Sequence, residues 1–363
     1  MKRFIAKIHY EKTLFLEEKI VYLLLFFPKL FYYLAVQCRL LFYKLKILKP
    51  KKVNAFVVSI GNLTTGGTGK TPVCIELANY FTSIDTKNAI LSRGYGGKLP
   101  NTLVNTISDG TNIFYNADFS GDEPYLLASS TKNTAVLTSK NRVNAAQKAI
   151  DEYGAEILIL DDGFQYIKLR RDLNIMLVDG VLKFGNKKIL PQGPLREPLN
   201  QIKRADIILV MNKLALDKKA QMECEEFAKE LQTKYSKKTL VANFEPSQIY
   251  SLNTNKTLSE KIPVYAFCGV GQPEFFFEYL KEKGFEVVKT REYKDHHLYT
   301  SEDIKNIYKE AELYGAKAII TTEKDGVKIK AFLSKGKPDI EFFALKLKLQ
   351  LPIKEILKNT PFE

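Results

Sequence analysis

From residue 53 onward, short apolar runs alternate with longer stretches in which apolar residues recur every three or four positions. The runs at 56–60, 89–92, 135–138, 157–160, 175–178 and 207–211 read as buried strands. Helical spacing predicts helices over 71–81, 123–129, 142–153 and 218–235; in the first, Val73, Leu77, Ala78 and Phe81 share one face. Strand and helix in alternation mark a parallel sheet covered by helices. A polar stretch rich in Ser, Thr and Asn at 245–263 reads as a boundary, after which the pattern resumes. Strands are expected at 264–268, 286–289 and 318–321, with helices at 273–283 and 301–314. Thr300 and Asp303 form a capping pair at the start of the last helix, where Ile304, Ile307, Tyr308, Ala311 and Tyr314 line one face. Alternation over 340–349 predicts a final strand, placed to return and pair with the chain around 240–243.

The first 52 residues differ in kind. They carry twelve Lys/Arg against three Glu, so +9 of the chain's net +14 lies here. They are also the greasiest part, with apolar runs at 20–27 and 30–36 separated by Pro28 and Lys29. A secretory signal fits poorly, because the apolar stretch starts late and no small-residue cleavage site follows. A spanning helix needs about 20 predominantly apolar residues, and 20–36 is shorter and interrupted. The preferred expectation is a helix pair or kinked helix in a membrane interface, lysines towards anionic headgroups. A single transmembrane anchor and a helix buried against the body compete with it. Lysines interleaved with Leu, Phe and Tyr do not form a polar basic stripe, so nucleic acid is not the expected partner. On this reading, removing residues 1–49 leaves ATP binding intact and releases the chain from membranes.

Elsewhere composition adds little. Apolar content of 45% and charged content of 26% are ordinary globular usage. Cys38, Cys74, Cys224 and Cys268 have neither paired nor metal-ligand spacing and read as reduced thiols.

The chemistry begins directly after the first strand, where the chain reads Gly61-Asn62-Leu63-Thr64-Thr65-Gly66-Gly67-Thr68-Gly69-Lys70-Thr71-Pro72. Glycines at 66, 67 and 69 let backbone N–H groups turn towards phosphate oxygens without a Cβ in the way. Lys70 brings a positive charge to the β/γ-phosphates, the Thr71 hydroxyl suits Mg²⁺, and the following helix aims its positive end at the same anion. Thr64 stands where the general G-x-x-x-x-G-K-[ST] pattern has glycine. The cradle thus comprises Thr64, Thr65, Gly66, Gly67, Thr68, Gly69, Lys70 and Thr71, with ATP and Mg²⁺ as the expected cofactors.

Other loops add candidates. The strand at 157–160 ends in Asp161 and Asp162; neighbouring side chains diverge, so one is expected to serve the metal and the other to organise the loop. Asp122, ahead of Glu123 and Pro124, is either an N-cap or a base. Arg93 and Tyr95 follow a strand's carboxyl end, where open α/β sheets bind ligands; arginine suits an anion and tyrosine a sugar or acyl surface. Arg196 and Glu197 read by default as a surface ion pair, and Asp295, His296 and His297 lie in a loop. Two weak motifs are rejected. Gly269-Val270-Gly271 lacks the third glycine of a dinucleotide turn, and Asn212-Lys213-Leu214-Ala215 lacks the aspartate of a guanine-reading element.

In order and spacing, the cradle, Ser92-Arg93-Gly94-Tyr95-Gly96, Gly121-Asp122-Glu123-Pro124, Asp161-Asp162-Gly163-Phe164-Gln165, Leu195-Arg196-Glu197-Pro198, Asp295-His296 and Thr321-Thr322-Glu323-Lys324-Asp325 together resemble the tetraacyldisaccharide 4′-kinase family of lipid A biosynthesis. Thr64 is usual in that family. The resemblance implies a P-loop NTPase-like α/β/α sandwich with a second, smaller α/β lobe, a two-stranded linker and an N-terminal membrane-associated helical segment. In residue numbers, this gives a membrane segment at 1–52, a P-loop kinase domain at 53–245, a linker at 246–262, the second lobe at 263–336, and a return strand and tail at 337–363. It implies transfer of the γ-phosphate of ATP to the 4′-hydroxyl of a tetraacyldisaccharide 1-phosphate on the cytoplasmic face of the inner membrane, the enzyme being peripheral or monotopic. The expected partners are that lipid and the membrane surface, with no obligate protein partner. By resemblance, Asp122 is the catalytic aspartate with His296 as its partner, His297 remaining the alternative imidazole. Lys70 stabilises the transferring group, and Asp162 supports the residues that manage Mg²⁺. Thr71, Asp161 and Glu197 manage Mg²⁺, while Arg93, Tyr95 and Arg196 meet the lipid. The competing class is a membrane-anchored P-loop regulatory or maturation ATPase acting on a protein partner.

Overall fold

The computed structural model describes residues 2–11, 15–213, 218–254, 256–270, 273–294, 297–333 and 340–363. Three helices come first: α1 (Lys2–Tyr10), α2 (Leu16–Leu24) and α3 (Phe26–Lys44). The alternating region supplies β1 (Phe56–Asn62), α4 (Lys70–Ser83), β2 (Asn88–Ser92), β3 (Asn105–Ser108), α5 (Ala117–Ser120), α6 (Asp122–Ser130), β4 (Thr134–Thr138), α7 (Arg142–Tyr153), β5 (Ile157–Leu160), β6 (Leu173–Asp179), β7 (Ile207–Asn212) and α8 (Lys218–Tyr235). There follow β8 (Lys238–Ser251), β9 (Pro263–Cys268), α9 (Pro273–Glu282), β10 (Glu286–Glu292), α10 (Ser301–Leu313), β11 (Ala318–Thr322), α11 (Glu323–Ile329), β12 (Glu341–Gln350) and α12 (Ile353–Leu357). The chain divides into two compact units: the described residues up to Asn243 together with Leu351–Glu363, and Phe244–Gln350.

In the first unit the strands run in the order β8-β7-β6-β1-β5-β2-β4-β3, where only the proximal half of β8 takes part. All pairs are parallel except the edge pair β3–β4. Each of β2, β4, β5, β6 and β7 is buried along its whole length, as strands covered on both faces must be. The chain leaves β1 towards β5 and β2 on one side, and β6 and β7 lie on the other. That reversal opens a crevice at the carboxyl ends of the strands, where ligands bind in such sheets.

The N-terminal helices belong to this unit rather than standing apart. Ile8 and Val36 are buried, Val36 packing with Leu63, Phe164, Met176 and Val178. His9 Nε2 lies 3.0 Å from Pro191 O, and Tyr10 OH donates to the cradle carbonyl of Thr65 at 3.1 Å. The expectation that residues 1–49 can be removed without touching ATP binding is therefore corrected: one face of the segment is part of the nucleotide unit's core. The opposite face is apolar and exposed, with Leu23 67%, Phe27 66% and Phe31 72% accessible.

The tail also departs from expectation. Ile356 and Leu357 are buried, and Phe362 packs edge-on against Phe56 and Phe81, so residues beyond Gln350 rejoin the first unit.

The second unit has the order β10-β9-β11-β12 with the distal half of β8 beside β12. The polar stretch expected to be a linker at 246–262 begins as strand, since β8 runs to Ser251. Its partner is the predicted last strand, met at a different place: Leu252 N donates to Phe342 O at 2.9 Å and Ser247 Oγ to Lys346 O at 3.3 Å, beyond the expected 240–243. Thr300 and Asp303 form the reciprocal capping box that their spacing predicts.

Candidate active site

The cradle follows from the end of β1. Gly66 (φ +110°) and Gly69 (φ +87°) occupy left-handed backbone that a side chain would strain. A Cβ on Gly66 or Gly67 would meet no protein atom within 4 Å, so the turn borders open space where a phosphate chain fits. The helix α4 starts at Lys70 with Gly69 as its N-cap and no side chain capping it. Its first N–H groups are therefore available to an anion.

Lys70 projects towards the neighbouring strand ends. Its Nζ lies 3.4 Å from Asn62 Oδ1 and 3.5 Å from Asp162 Oδ1. Asp162 turns out of β5 at φ +51°, and its other oxygen accepts from Arg196 Nη1 at 2.7 Å. Asp161 goes the other way, as adjacent side chains must. It is buried, accepts from Ser92 Oγ at 3.1 Å, and has the Cys74 thiol 3.8 Å away. Arg142 Nη1 binds the main-chain carbonyls of both aspartates, at 2.8 and 3.1 Å, and fixes the turn. The two carboxyls consequently differ. Burial pushes Asp162 up, but the Lys70 and Arg196 charges outweigh it and hold the group below the usual carboxylate range. Asp161 is pushed up, by burial first and by its neighbour Asp162 second.

These residues fit Mg²⁺. The buried Asp161 carboxylate can accept about four hydrogen bonds, yet among the described residues it meets one hydroxyl and one weak thiol donor. A hard dication beside it, with the Thr71 hydroxyl from the first turn of α4, suits that donor set.

Glu197 does not. It is fully buried, and its two oxygens are taken by Arg39 of α3 and by Arg204. In place of the expected metal contact, the structure shows Glu197 tying α3 to the 195–198 loop. Nor do Arg196 and Glu197 pair with each other: Arg196 reaches Asp162. The Glu197→Gln variant should lose about 1–3 kcal/mol of stability by urea unfolding, because two part-exposed guanidiniums lose the buried carboxylate that pairs with them. Its Mg²⁺ dependence of turnover should match the wild type.

The loop after β2 packs against the start of α6. Lys98 N and Leu99 N both donate to Phe119 O, at 2.9 and 3.1 Å. Gly121 lies so close to the other loop that a Cβ there would stand 2.7 Å from Tyr95 O. Arg93, Tyr95 (85% exposed) and Asp122 are thereby gathered on one surface. The helix α6 is capped by the Gly121 backbone, without a side-chain cap, so the exposed Asp122 carboxylate is not spent on capping.

His296 lies outside the described residues. His297 is committed to packing in the second unit: its ring stacks on Tyr293 at 4.6 Å, and Nε2 lies 3.1 Å from Asp303 Oδ2. Glu323-Lys324-Asp325, left without a role by the sequence, forms the start of α11, directly after β11. There the buried Asp325 accepts from Gly269 N and Thr322 Oγ1, both at 2.8 Å.

Sequence reasoning gave no role to Asn62, Ser92, Arg142 or Glu123. The first two are polar residues ending apolar runs, the same signal that singled out Asp161. Glu123 joins the cluster electrostatically: burial, then the Asp161 charge, pushes its carboxyl up.

Comparison with known proteins shows the family of the chain. The family model for tetraacyldisaccharide-1-P 4′-kinase, LpxK, matches residues 21–360. The tetraacyldisaccharide 4′-kinase of Halothermothrix orenii is 35% identical over 326 residues, covering 86% of this chain and 84% of its own length. That of Desulfotalea psychrophila is 37% identical over 299 residues, covering 82% and 85%. Among solved structures, LpxK from Aquifex aeolicus in complex with ATP superposes with a TM-score of 0.68 at 29% identity, over 91% of this chain and 95% of that one. A match that starts inside α2 and ends in the tail takes in the cradle, the aspartate pair and the histidine loop alike, and the chain belongs to the tetraacyldisaccharide 4′-kinase family.

Proposed function

We propose that this chain transfers the γ-phosphate of ATP to the 4′-hydroxyl of a tetraacyldisaccharide 1-phosphate, a lipid A precursor, at a membrane surface. The observation that carries the reading is the meeting of Lys70, Asp162 and Arg196 beside the glycine-rich turn. Lys70, braced by Asn62 and Asp162, stabilises charge on the migrating phosphoryl group. Mg²⁺ bound with ATP neutralises the β- and γ-phosphates, and Thr71 and Asp161 would hold it. Asp122 takes the proton of the acceptor hydroxyl, with His296 as the partner that the family resemblance implies. Arg93 and Tyr95 receive the sugar and its anionic group, and Arg196 holds Asp162. Labelled ATP incubated with the purified disaccharide 1-phosphate should place label on lipid; label found only as free phosphate overturns the reading in favour of a regulatory ATPase.

The site of action is the cytoplasmic face of the inner membrane. No single helix among the described residues is long and apolar enough to cross a membrane, whereas α2 and α3, bent by 40° at their break, pass by length and composition together. Because α3 packs Val36 into the core and pairs Arg39 with Glu197, an orientation flat in the interface suits it, the free apolar face entering the lipid. Changing Leu23, Phe27 and Phe31 together to glutamate should abolish co-sedimentation with anionic liposomes and leave ATP affinity within about twofold, since exposed positions rarely touch stability. Undiminished liposome binding would count against it.

A further inference from the structure

A loop that turns its N–H groups towards an anion turns carbonyls outward, and each outward carbonyl needs a donor if the loop is to keep its shape. Two side chains supply them here. Tyr10 OH donates to Thr65 O at 3.1 Å, and Lys213 Nζ donates to Gly67 O. Lys213 follows the last residue of β7, and its Nζ is also 2.6 Å from Asp179 Oδ2. Asp179 ends β6 and is buried; its second oxygen accepts from Val181 N and Leu182 N at 3.0 and 2.9 Å. The carboxylate is thus locked, and it locks the lysine. Burial first, and the Asp179 charge second, push the Tyr10 phenol up to about 12, so Tyr10 remains a neutral donor.

The need for such bracing is plain in the turn itself. Gly66 and Gly67 have no side chains with which to hold their own conformation, and glycine has the most backbone freedom to lose on ordering. Donors fixed to β6, β7 and α1 remove that freedom before the nucleotide arrives, which favours binding by preorganisation.

We infer that Lys213, fixed by Asp179, is a positioning residue of the nucleotide site: it holds the Gly67 carbonyl outward so that the turn presents its N–H groups to ATP, with Tyr10 doing the same at Thr65. The segment that fails as a guanine-reading element therefore acts on the phosphate loop. The inference rests on the cradle being the ATP site, and the Lys70→Ala variant tests that separately.

The full-length chain in detergent micelles is titrated with ATP by calorimetry and assayed for phosphate transfer. Lys213→Met should raise both Kd and KM for ATP roughly 10- to 100-fold, the loss expected for one charge-assisted hydrogen bond. The fall in kcat should stay below about threefold, because bracing serves ground state and transition state equally. Lys213→Arg should recover most of the affinity, and Tyr10→Phe should show a smaller rise of the same kind. Methionine leaves Asp179 buried and unpaired, so the Lys213→Met/Asp179→Asn double variant is measured beside it; it should regain the thermal stability but not the ATP affinity. KM within twofold of wild type in folded Lys213→Met overturns the inference. So does recovery of ATP affinity in the double variant, which alone carries the test if the single variant does not fold. Should Lys70→Ala bind and turn over ATP normally, the reading of the cradle fails instead.

Discussion

Replacing Lys70 by alanine is expected to cut phosphate transfer roughly 10²–10³-fold, the usual cost of losing one preorganised group aimed at developing charge. The geometry gives a reason to expect the upper end. Lys70 Nζ sits 3.5 Å from Asp162, and Arg196 is that carboxylate's other cationic partner. Without Lys70, burial acts on Asp162 with less opposition, and the mouth of the cradle loses a positive charge. An ATP phosphate chain entering such a site meets repulsion where it met attraction. Arginine should be a poor substitute, because its planar fork cannot act as the compact charge that a lysine places between Asn62 and Asp162. Single-turnover transfer of label from ATP to lipid measures the loss, and an unchanged rate removes Lys70 from the mechanism.

How far the sequence reveals this site depends on how local each cause is. Strands that are apolar throughout, such as Ile157–Leu160, and helices with one buried face, such as Arg142–Tyr153, are found at the boundaries expected. Their signals are complete within the segment. The edge strand Asn105–Ser108 escapes notice because it is short and mostly polar, held by pairing with β4 rather than by its own pattern. The distal half of β8 escapes for a related reason: Glu245, Ser247 and Gln248 are exposed, so composition reads as loop while the backbone pairs with β12. Charged residues follow the same rule. The divergence of Asp161 and Asp162 follows from adjacency and is legible. That Glu197 is claimed by Arg39, or that Lys213 reaches Gly67, depends on contacts across more than a hundred residues, which no local pattern encodes. The resemblance to a family suggests a metal role for Glu197; two guanidiniums on one carboxylate decide otherwise.

Asp122→Asn should lower kcat by about 10²–10⁴-fold, the range for removing a general base, while ATP affinity and thermal stability stay near wild type. The substitution is chosen for what it leaves intact. Asparagine caps helices about as well as aspartate, so if Asp122 only steadied the start of α6, this variant would work normally. The structure already assigns the cap to Gly121 and leaves the Asp122 side chain exposed, where isosteric change costs little stability. What asparagine cannot do is accept the proton of the acceptor hydroxyl. Glu123 is the carboxylate best placed to take over, and Glu123→Gln should have the smaller effect if Asp122 is the base. Combining Asp122→Asn with His296→Ala should add little to the larger single loss, since partners that move one proton act as a unit. Multiplying losses would mean that the two residues serve separate steps, and turnover within threefold of wild type in Asp122→Asn would return this carboxylate to the surface chemistry of an ordinary helix start.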